Sequence, residues 1–288
     1  MSESKDFYIE NGNTVFTKDF LSRRGYCCKN GCRHCPYEFT NNKKVISLVP
    51  SWTETLIQAG VNVVGRTKFC IHPKKEALEI PIVGGTKNVD FKKINNIDAD
   101  LVLLDREENR KEFLQNIKQR CFVTNVRSVE DVKISLIDLN RILKNEKINE
   151  YISFFDRVNL DLAYAYKITD IPGVLQWIKK PNESIDNIVY MIWKNPWMAM
   201  GRKTYISSVF KLLGFGDEYI KSEDKYPEIN IQDLDKEKTI IFFSTEPYPF
   251  EKNIHEIKEL GYFSALLNGE TYSWYGYRTI QLIKSLIK

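Results

Sequence analysis

Four of the six cysteines fall within nine positions, in the run Gly25-Tyr26-Cys27-Cys28-Lys29-Asn30-Gly31-Cys32-Arg33-His34-Cys35-Pro36-Tyr37. Closely spaced thiolates can converge on one tetrahedral metal ion. Gly31 permits the tight turn this needs, and Lys29 and Arg33 favour the ligating thiolate. Adjacent Cys27 and Cys28 are awkward ligands for one ion, so His34 is a candidate to replace one of them. Zinc is one reading. An iron–sulfur cluster is a second, because Cys28-x3-Cys32-x2-Cys35 has a cluster-holding spacing, although no strand–helix barrel follows it. A redox Cys32-x-x-Cys35 pair is a third, without the preceding strand such a site requires. A small stapled knob with no chemistry is the fourth.

A second set of reactive groups is dispersed. Cys70 and His72 alternate, so both face one side if the chain is extended, and both are good transition-metal ligands. Glu107, Glu246 and Glu270 can complete such a site or accept hydrogen bonds from a ligand. Trp52, Trp197 and Trp274 offer flat faces to a large planar ligand, and Trp193, Tyr248, Tyr275 and Arg278 stand beside them in sequence. Plainer readings exist. Cys70 alone behaves as a small buried hydrophobe, His72 before Pro73 as a loop residue, and Trp193, Trp197 and Tyr248 as core aromatics. Glu107-Glu108 suits the start of a helix. Gly84-Gly85 lacks the pattern of a dinucleotide-binding loop, and there is no phosphate loop or His-Glu-x-x-His.

These groups follow strand-like runs. Val45–Val49, Val61–Thr67, Asp100–Asp105 and Cys121–Val126 read as strands. Helices are expected between them, one from Ser51-Trp52-Thr53-Glu54, which has the form of a capping box, to Gly60, and one over Asn109–Gln119. Residues 129–168 carry apolar side chains at helical spacing without an internal Gly or Pro, which predicts a long helical segment. Strands return at Ile188–Trp193, Thr239–Ser244 and Phe263–Leu267, with helices at Tyr205–Leu213, Asn253–Leu260 and Arg278–Lys288. Strands alternating with helices predict mostly parallel α/β lobes, whose ligands bind at the carboxyl ends of the strands. The expected division is a Cys-rich module over 1–43, an α/β lobe over 44–150, a linking helix and connection over 151–185, and a second lobe over 186–288.

At 288 residues and 43% hydrophobic, the chain can bury two lobes. A net charge of +4 gives little support to a nucleic-acid partner. No apolar stretch follows Met1, and no run reaches the length of a membrane helix, so a cytoplasmic protein is expected. There, clustered thiols bind metal or do redox chemistry.

The front segment resembles, over about Phe16–Phe39, a small uncharacterised bacterial domain with the pattern Gly-Tyr-Cys-Cys-x-x-Gly-Cys-x-His-Cys-Pro-Tyr. The remainder holds seven polar–aromatic clusters in order: Pro50–Glu54, Phe69–Pro73, Gly84–Asn88, Glu107–Asn109, Trp193–Met198, Thr245–Phe250 and Gly269–Gly276. Together they resemble the helical-backbone metal receptor superfamily, in its cobalamin (vitamin B12)-binding-protein-like branch. That resemblance implies two Rossmann-like lobes joined by a long backbone helix, the class III solute-binding architecture. It also implies a corrinoid, haem or other metal chelate in the cleft, and delivery to an ABC transporter. Glu54 maps to the first-lobe glutamate that meets the transporter. Two departures stand out: Asn268-Gly269-Glu270 where the branch often reads Asp-Gly-Glu, and Tyr277 for the Ser of Trp-Tyr-Gly-Ser-Arg. The expected function is therefore a receptor for a corrinoid or other metal chelate. Its front cysteines would hold zinc or an iron–sulfur cluster and offer a docking site for a protein partner. The rival reading is a metal- or iron–sulfur-dependent enzyme using Cys70, His72 and the cleft glutamates.

Overall fold

The computed structural model describes residues 6–10, 12–26, 32–36, 43–160, 164–182 and 184–287. At the front, β1 (Phe7–Glu10) and β2 (Asn13–Phe16) form an antiparallel hairpin, and α1 (Lys18–Arg23) follows. No strand was expected ahead of the cysteines. Each of these strands is four residues long and mostly exposed, which leaves little pattern to read.

The first lobe runs β3 (Lys44–Ser47), α2 (Pro50–Gln58), β4 (Asn62–Arg66), α3 (Lys74–Leu78), α4 (Phe91–Asn96), β5 (Leu101–Asp105), α5 (Phe113–Asn116) and β6 (Cys121–Thr124). Its four strands are parallel, in the order β4-β3-β5-β6. Every residue of β5 is buried, as befits a strand covered on both faces. Two local expectations fail. α2 starts at Pro50, where the missing N–H is harmless, with Val49 as a cap that makes no side-chain bond. Ser51 and Glu54 therefore form no capping box. The helix expected over Asn109–Gln119 shrinks to α5, because the Asn109 side chain is committed elsewhere: its Oδ1 accepts the Asp105 N–H at 2.9 Å, and its Nδ2 donates to the carbonyls of Leu48 and Thr86.

The lobes are joined by α6 (Val129–Leu143) and α7 (Glu146–Arg157), two packed helices rather than one. The break falls at Lys144, which is left-handed (φ 49°), and Asn145 caps α7 by accepting the Ile148 N–H. The helical segment expected over 129–168 ends at Arg157. The connection expected up to residue 185 holds one turn of 3-10 helix at Ile168–Asp170 and a strand, β7 (Val174–Lys179).

The second lobe continues with β8 (Asn187–Trp193), β9 (Met198–Ala199), α8 (Tyr205–Leu212), β10 (Thr239–Ser244), α9 (Ile254–Leu260), β11 (Phe263–Leu267), α10 (Gly269–Ser273) and α11 (Tyr277–Leu286). The sheet order is β7-β11-β10-β8-β9. The three central strands are parallel and both edge strands antiparallel. One of three buried clusters spans both lobes and the connection, while the other two lie within one lobe each. The spanning cluster includes Trp52, Leu56 and Leu103 of the first lobe, Leu136 and Phe155 of the connection, and Tyr190, Phe242 and Ile283 of the second. An apolar interface of that extent holds lobes together far more firmly than the polar contacts usual between domains. Among the described residues, no helix is long and apolar enough to cross a membrane.

Candidate functional site

The loops that leave the carboxyl ends of the two parallel sheets meet each other. After β4 the chain passes Cys70 and reaches His72, whose Nε2 lies 2.9 Å from Glu270 Oε1, just beyond β11. After β5 comes Glu107, whose carboxylate pairs with Lys225 and accepts the Tyr226 hydroxyl at 2.8 Å. Lys87 Nζ donates to the Glu107 carbonyl. After β10 comes Glu246, which accepts the Ser273 hydroxyl at 3.1 Å. Arg278, near the start of α11, donates to Glu54 and to Glu270, each at 2.6 Å. The lobes are thus bridged by the His72–Glu270, Glu107–Lys225 and Glu54–Arg278 pairs.

Backbone and core residues set these groups in place. The buried Trp52 donates its indole N–H to Thr124 Oγ1 at 2.9 Å, and that hydroxyl donates to Asp105 Oδ2 at 2.7 Å. Asp105 Oδ1 in turn accepts the Glu107 N–H, which fixes the turn carrying Glu107 and Glu108. On the other side, a Cβ at Gly269 would lie 2.5 Å from Glu246 Cγ and 2.6 Å from Ser244 Oγ. Only glycine lets the Glu246 side chain pass there. Burial pushes the carboxyls of Asp105, Glu108 and Glu246 above the usual range. Asp105 and Glu246 reinforce this at Glu108, as Glu270 does at Glu246.

Several expected site residues take other roles. Cys70 is fully buried, accepts the Thr53 hydroxyl at 3.0 Å and contacts that of Thr67 at 3.1 Å, and burial raises its thiol. It does not share a face with His72: the chain turns at Thr67–Cys70 instead of running extended, leaving Phe69 and Ile71 exposed on either side of Cys70. A buried, neutral thiol is a poor nucleophile, which removes the basis of an enzyme built on Cys70. Glu54 is buried too, held by Arg278, and so does not present a carboxylate to a docking partner. The three tryptophans expected to stack on a ligand are packed by protein. Trp52 meets Tyr275 edge-on, Trp197 lies flat on Phe250, and Trp274 is covered by the Arg278 guanidinium with its edge toward His72. Tyr275 is buried, its hydroxyl beside Ser51, Asp105 and Glu108. Trp193 remains exposed and meets Tyr248 edge-on.

Asp105, Lys225 and Tyr226 were absent from the expected clusters, and Glu108, Phe69 and Ile71 lay within them without being named as site residues. Asp105 ends β5 and Glu108 follows the Glu107 that was singled out, and that placement at the carboxyl end of the strand was signal enough. Lys225 and Tyr226 lie in an irregular stretch and carried none. In the front module, Cys27 and Cys28 lie outside the described residues. The Cys35 N–H donates to the Cys32 carbonyl at 3.0 Å, and His34 Nε2 lies 3.0 Å from the Tyr8 hydroxyl. Among the described residues, no three His, Cys, Asp or Glu side chains are grouped to hold a metal ion.

Residues 1–41 match a family described as a family of unknown function (DUF5522). Over 209 residues, 70% of each chain, the protein is 23% identical to the vitamin B12-binding protein of Vibrio cholerae serotype O1. The crystal structure of the periplasmic vitamin B12 binding protein BtuF of Vibrio cholerae superposes with a TM-score of 0.59 at 16% identity, over 85% of this chain and 94% of that one. The periplasmic haem-binding protein HutB of Vibrio cholerae gives 0.63 at 11% identity, over 85% and 97%. The haem-binding protein BhuT, in complex with two haems, gives 0.61 at 15%, over 85% and 96%. The resemblance drawn from the seven clusters thus recurs in sequence and in fold. The proteins it leads to are binding proteins by name, in line with the expectation of a binder rather than an enzyme.

Proposed function

We propose, from the two-lobed fold this chain shares with vitamin B12- and haem-binding receptors, that it binds a metal chelate, a corrinoid foremost, in the cleft between its lobes. The observation that carries this reading is the convergence of His72, Glu107, Glu246, Glu270 and Arg278 at the facing carboxyl ends of two parallel sheets, where α/β folds place their ligands. Apolar contact would come from Phe69 and Ile71 on the first lobe and Trp193 and Tyr248 on the second, in place of the packed tryptophans. The bridging ion pairs must yield to the ligand, so binding weakens with the strength of those bridges. In the front module, the tight Cys32–Cys35 turn suits a metal-chelating pair, and zinc or an iron–sulfur cluster there, with Cys27 and Cys28, is the accompanying proposal. A protein partner would dock on this module.

The test is protein purified without oxygen, its absorption spectrum and metal content recorded, then titrated with cyanocobalamin, haemin and a ferric chelate. Corrinoid or haem bands, or saturable binding that Trp193→Ala weakens about tenfold, support the receptor. No affinity for any of the three defeats it. Zinc or iron that is lost on replacing Cys32 and Cys35 with Ser supports the module site, and metal-free protein refutes it.

A further inference from the structure

We infer that the open edge of β6 is a docking site for a partner protein, which adds a short extended segment to the first-lobe sheet and carries Asp or Glu at the end beside Lys118 and Arg120. This surface does not depend on what the cleft binds. The Val102 N–H donates to the Arg120 carbonyl at 2.8 Å, and the Arg106 N–H to the Thr124 carbonyl at 3.0 Å. These bonds, with Val102 in register with Cys121, turn Phe122 and Thr124 toward β5. Cys121 and Val123 alternate with them and point their N–H and C=O groups outward. Among the described residues, those groups have no partner. Val123 is exposed, and α5, which covers the Cys121 and Val123 face of the sheet, leaves Leu114 exposed too.

The other sheet edges are closed or differently furnished. Along β4, Arg66 bonds through its backbone to Pro81 and Val83, and along β9, the Ala199 N–H donates to the Pro227 carbonyl. The lysines of β7 are engaged: Lys179 donates to the Gly261 carbonyl and Lys180 lies over Trp177. Beside β6, Lys118 and Arg120 are exposed, and among the described residues neither side chain has an acidic partner. The acids at that end of the sheet, Asp98 and Asp100, are taken by Lys44 and Lys43. The carboxyl end of β6 carries both signs, Arg106 and Arg127 with Glu130 and Asp131, and makes no such demand. Positive charge on an edge commonly keeps copies from pairing. It does so here, because antiparallel copies centred on Phe122 would set Lys118 and Arg120 of each beside Arg127 of the other. The same charges favour an acidic strand. Backbone bonds would supply its affinity, and charge the choice of partner. A nucleic acid would meet the cations but leave Val123 and the outward backbone groups unused.

The experiment uses the full chain and two synthetic peptides of alternating Thr and Val, one with Glu at both ends and one with Lys. Binding is followed by fluorescence anisotropy, and hydrogen exchange at the Val123 amide by NMR. The expected result is saturable binding of the Glu peptide, about tenfold or more tighter than the Lys peptide, as a few exposed charge pairs allow. The Val123 amide exchanges freely in the protein alone and slows when the Glu peptide binds. Lys118→Glu combined with Arg120→Glu reverses the preference, which a general loss of structure cannot do. Val123→Pro removes an outward donor where an edge strand tolerates proline, and abolishes binding. Equal binding of the two peptides, no binding up to about 1 mM, or binding that leaves the Val123 amide exchanging freely overturns the inference. So does a Val123 amide already protected by self-association, or a single-stranded oligonucleotide that binds more tightly than the Glu peptide.

Discussion

Glu246 shows how much of a site one side chain can reveal. Its sequence neighbours, Thr245 and Pro247, mark a loop after a strand, and that much is legible. Its chemistry depends on Gly269, Ser273 and Glu270, all more than twenty positions away, and is not. The same holds for Arg278, whose bond to Glu54 joins residues 224 positions apart. The Trp residues mislead for a related reason: an indole suits a core as well as a ligand face, and only packing decides. Glu246 also yields a prediction. Burial and Glu270 hold its carboxyl above the ordinary range, so the folded protein binds this proton more tightly than the unfolded chain does. Its contribution to stability is therefore best in acid, below the ordinary carboxylate value, and is lost as pH rises through the raised folded value. Glu246→Gln, which keeps an acceptor for Ser273, should raise the melting midpoint near about pH 7 and give no gain near about pH 4, where an ordinary carboxyl is half protonated or more. A gain that persists unchanged in acid would show that repulsion at Glu246 is not the cause.

Among the elements, the parallel strands were the most legible, because strands buried on both faces are continuous apolar runs. β10 and β11 have the bounds the sequence predicts, and β3, β4, β5, β6 and β8 differ by a few residues at their ends. The edge strands β7 and β9 were missed: β7 is half exposed and β9 two residues long. The long helix was divided by a single left-handed residue, Lys144, which no periodicity signals. The most demanding junction is the start of α11. Gly276 has φ 78°, and a Cβ there would lie 2.1 Å from Thr55 Oγ1. That hydroxyl accepts the Tyr277 N–H at 2.9 Å, so α2 of one lobe caps the first turn of α11. Gly276→Ala combines an unfavourable backbone with a steric collision. It should lower stability by about 2–3 kcal/mol, a magnitude typical of strain at special backbone positions, read as a lower urea midpoint with unchanged slope. A loss below about 0.5 kcal/mol, the level of an ordinary surface change, would mean that α11 shifts to make room.

For the molecule as a whole, the common core decides behaviour. Val45 and Leu101 of the first lobe and Ile240 and Ala265 of the second belong to one buried cluster with α6 and α7. The lobes should therefore melt together. Calorimetry of the intact chain should give one transition with matching calorimetric and van't Hoff enthalpies, whereas two resolved transitions would show the lobes to be independent. The contact between Thr55 and Tyr277 spans 222 positions. Contacts of such long range form slowly, because a large loop must close before any of them is rewarded. Until α11 arrives, α2 keeps bare the apolar face it will bury. The clasp that steadies the finished protein thus also sets a clock on its birth: during that interval the half-made protein is a sticky one, and its yield depends on how quickly the last helix comes home.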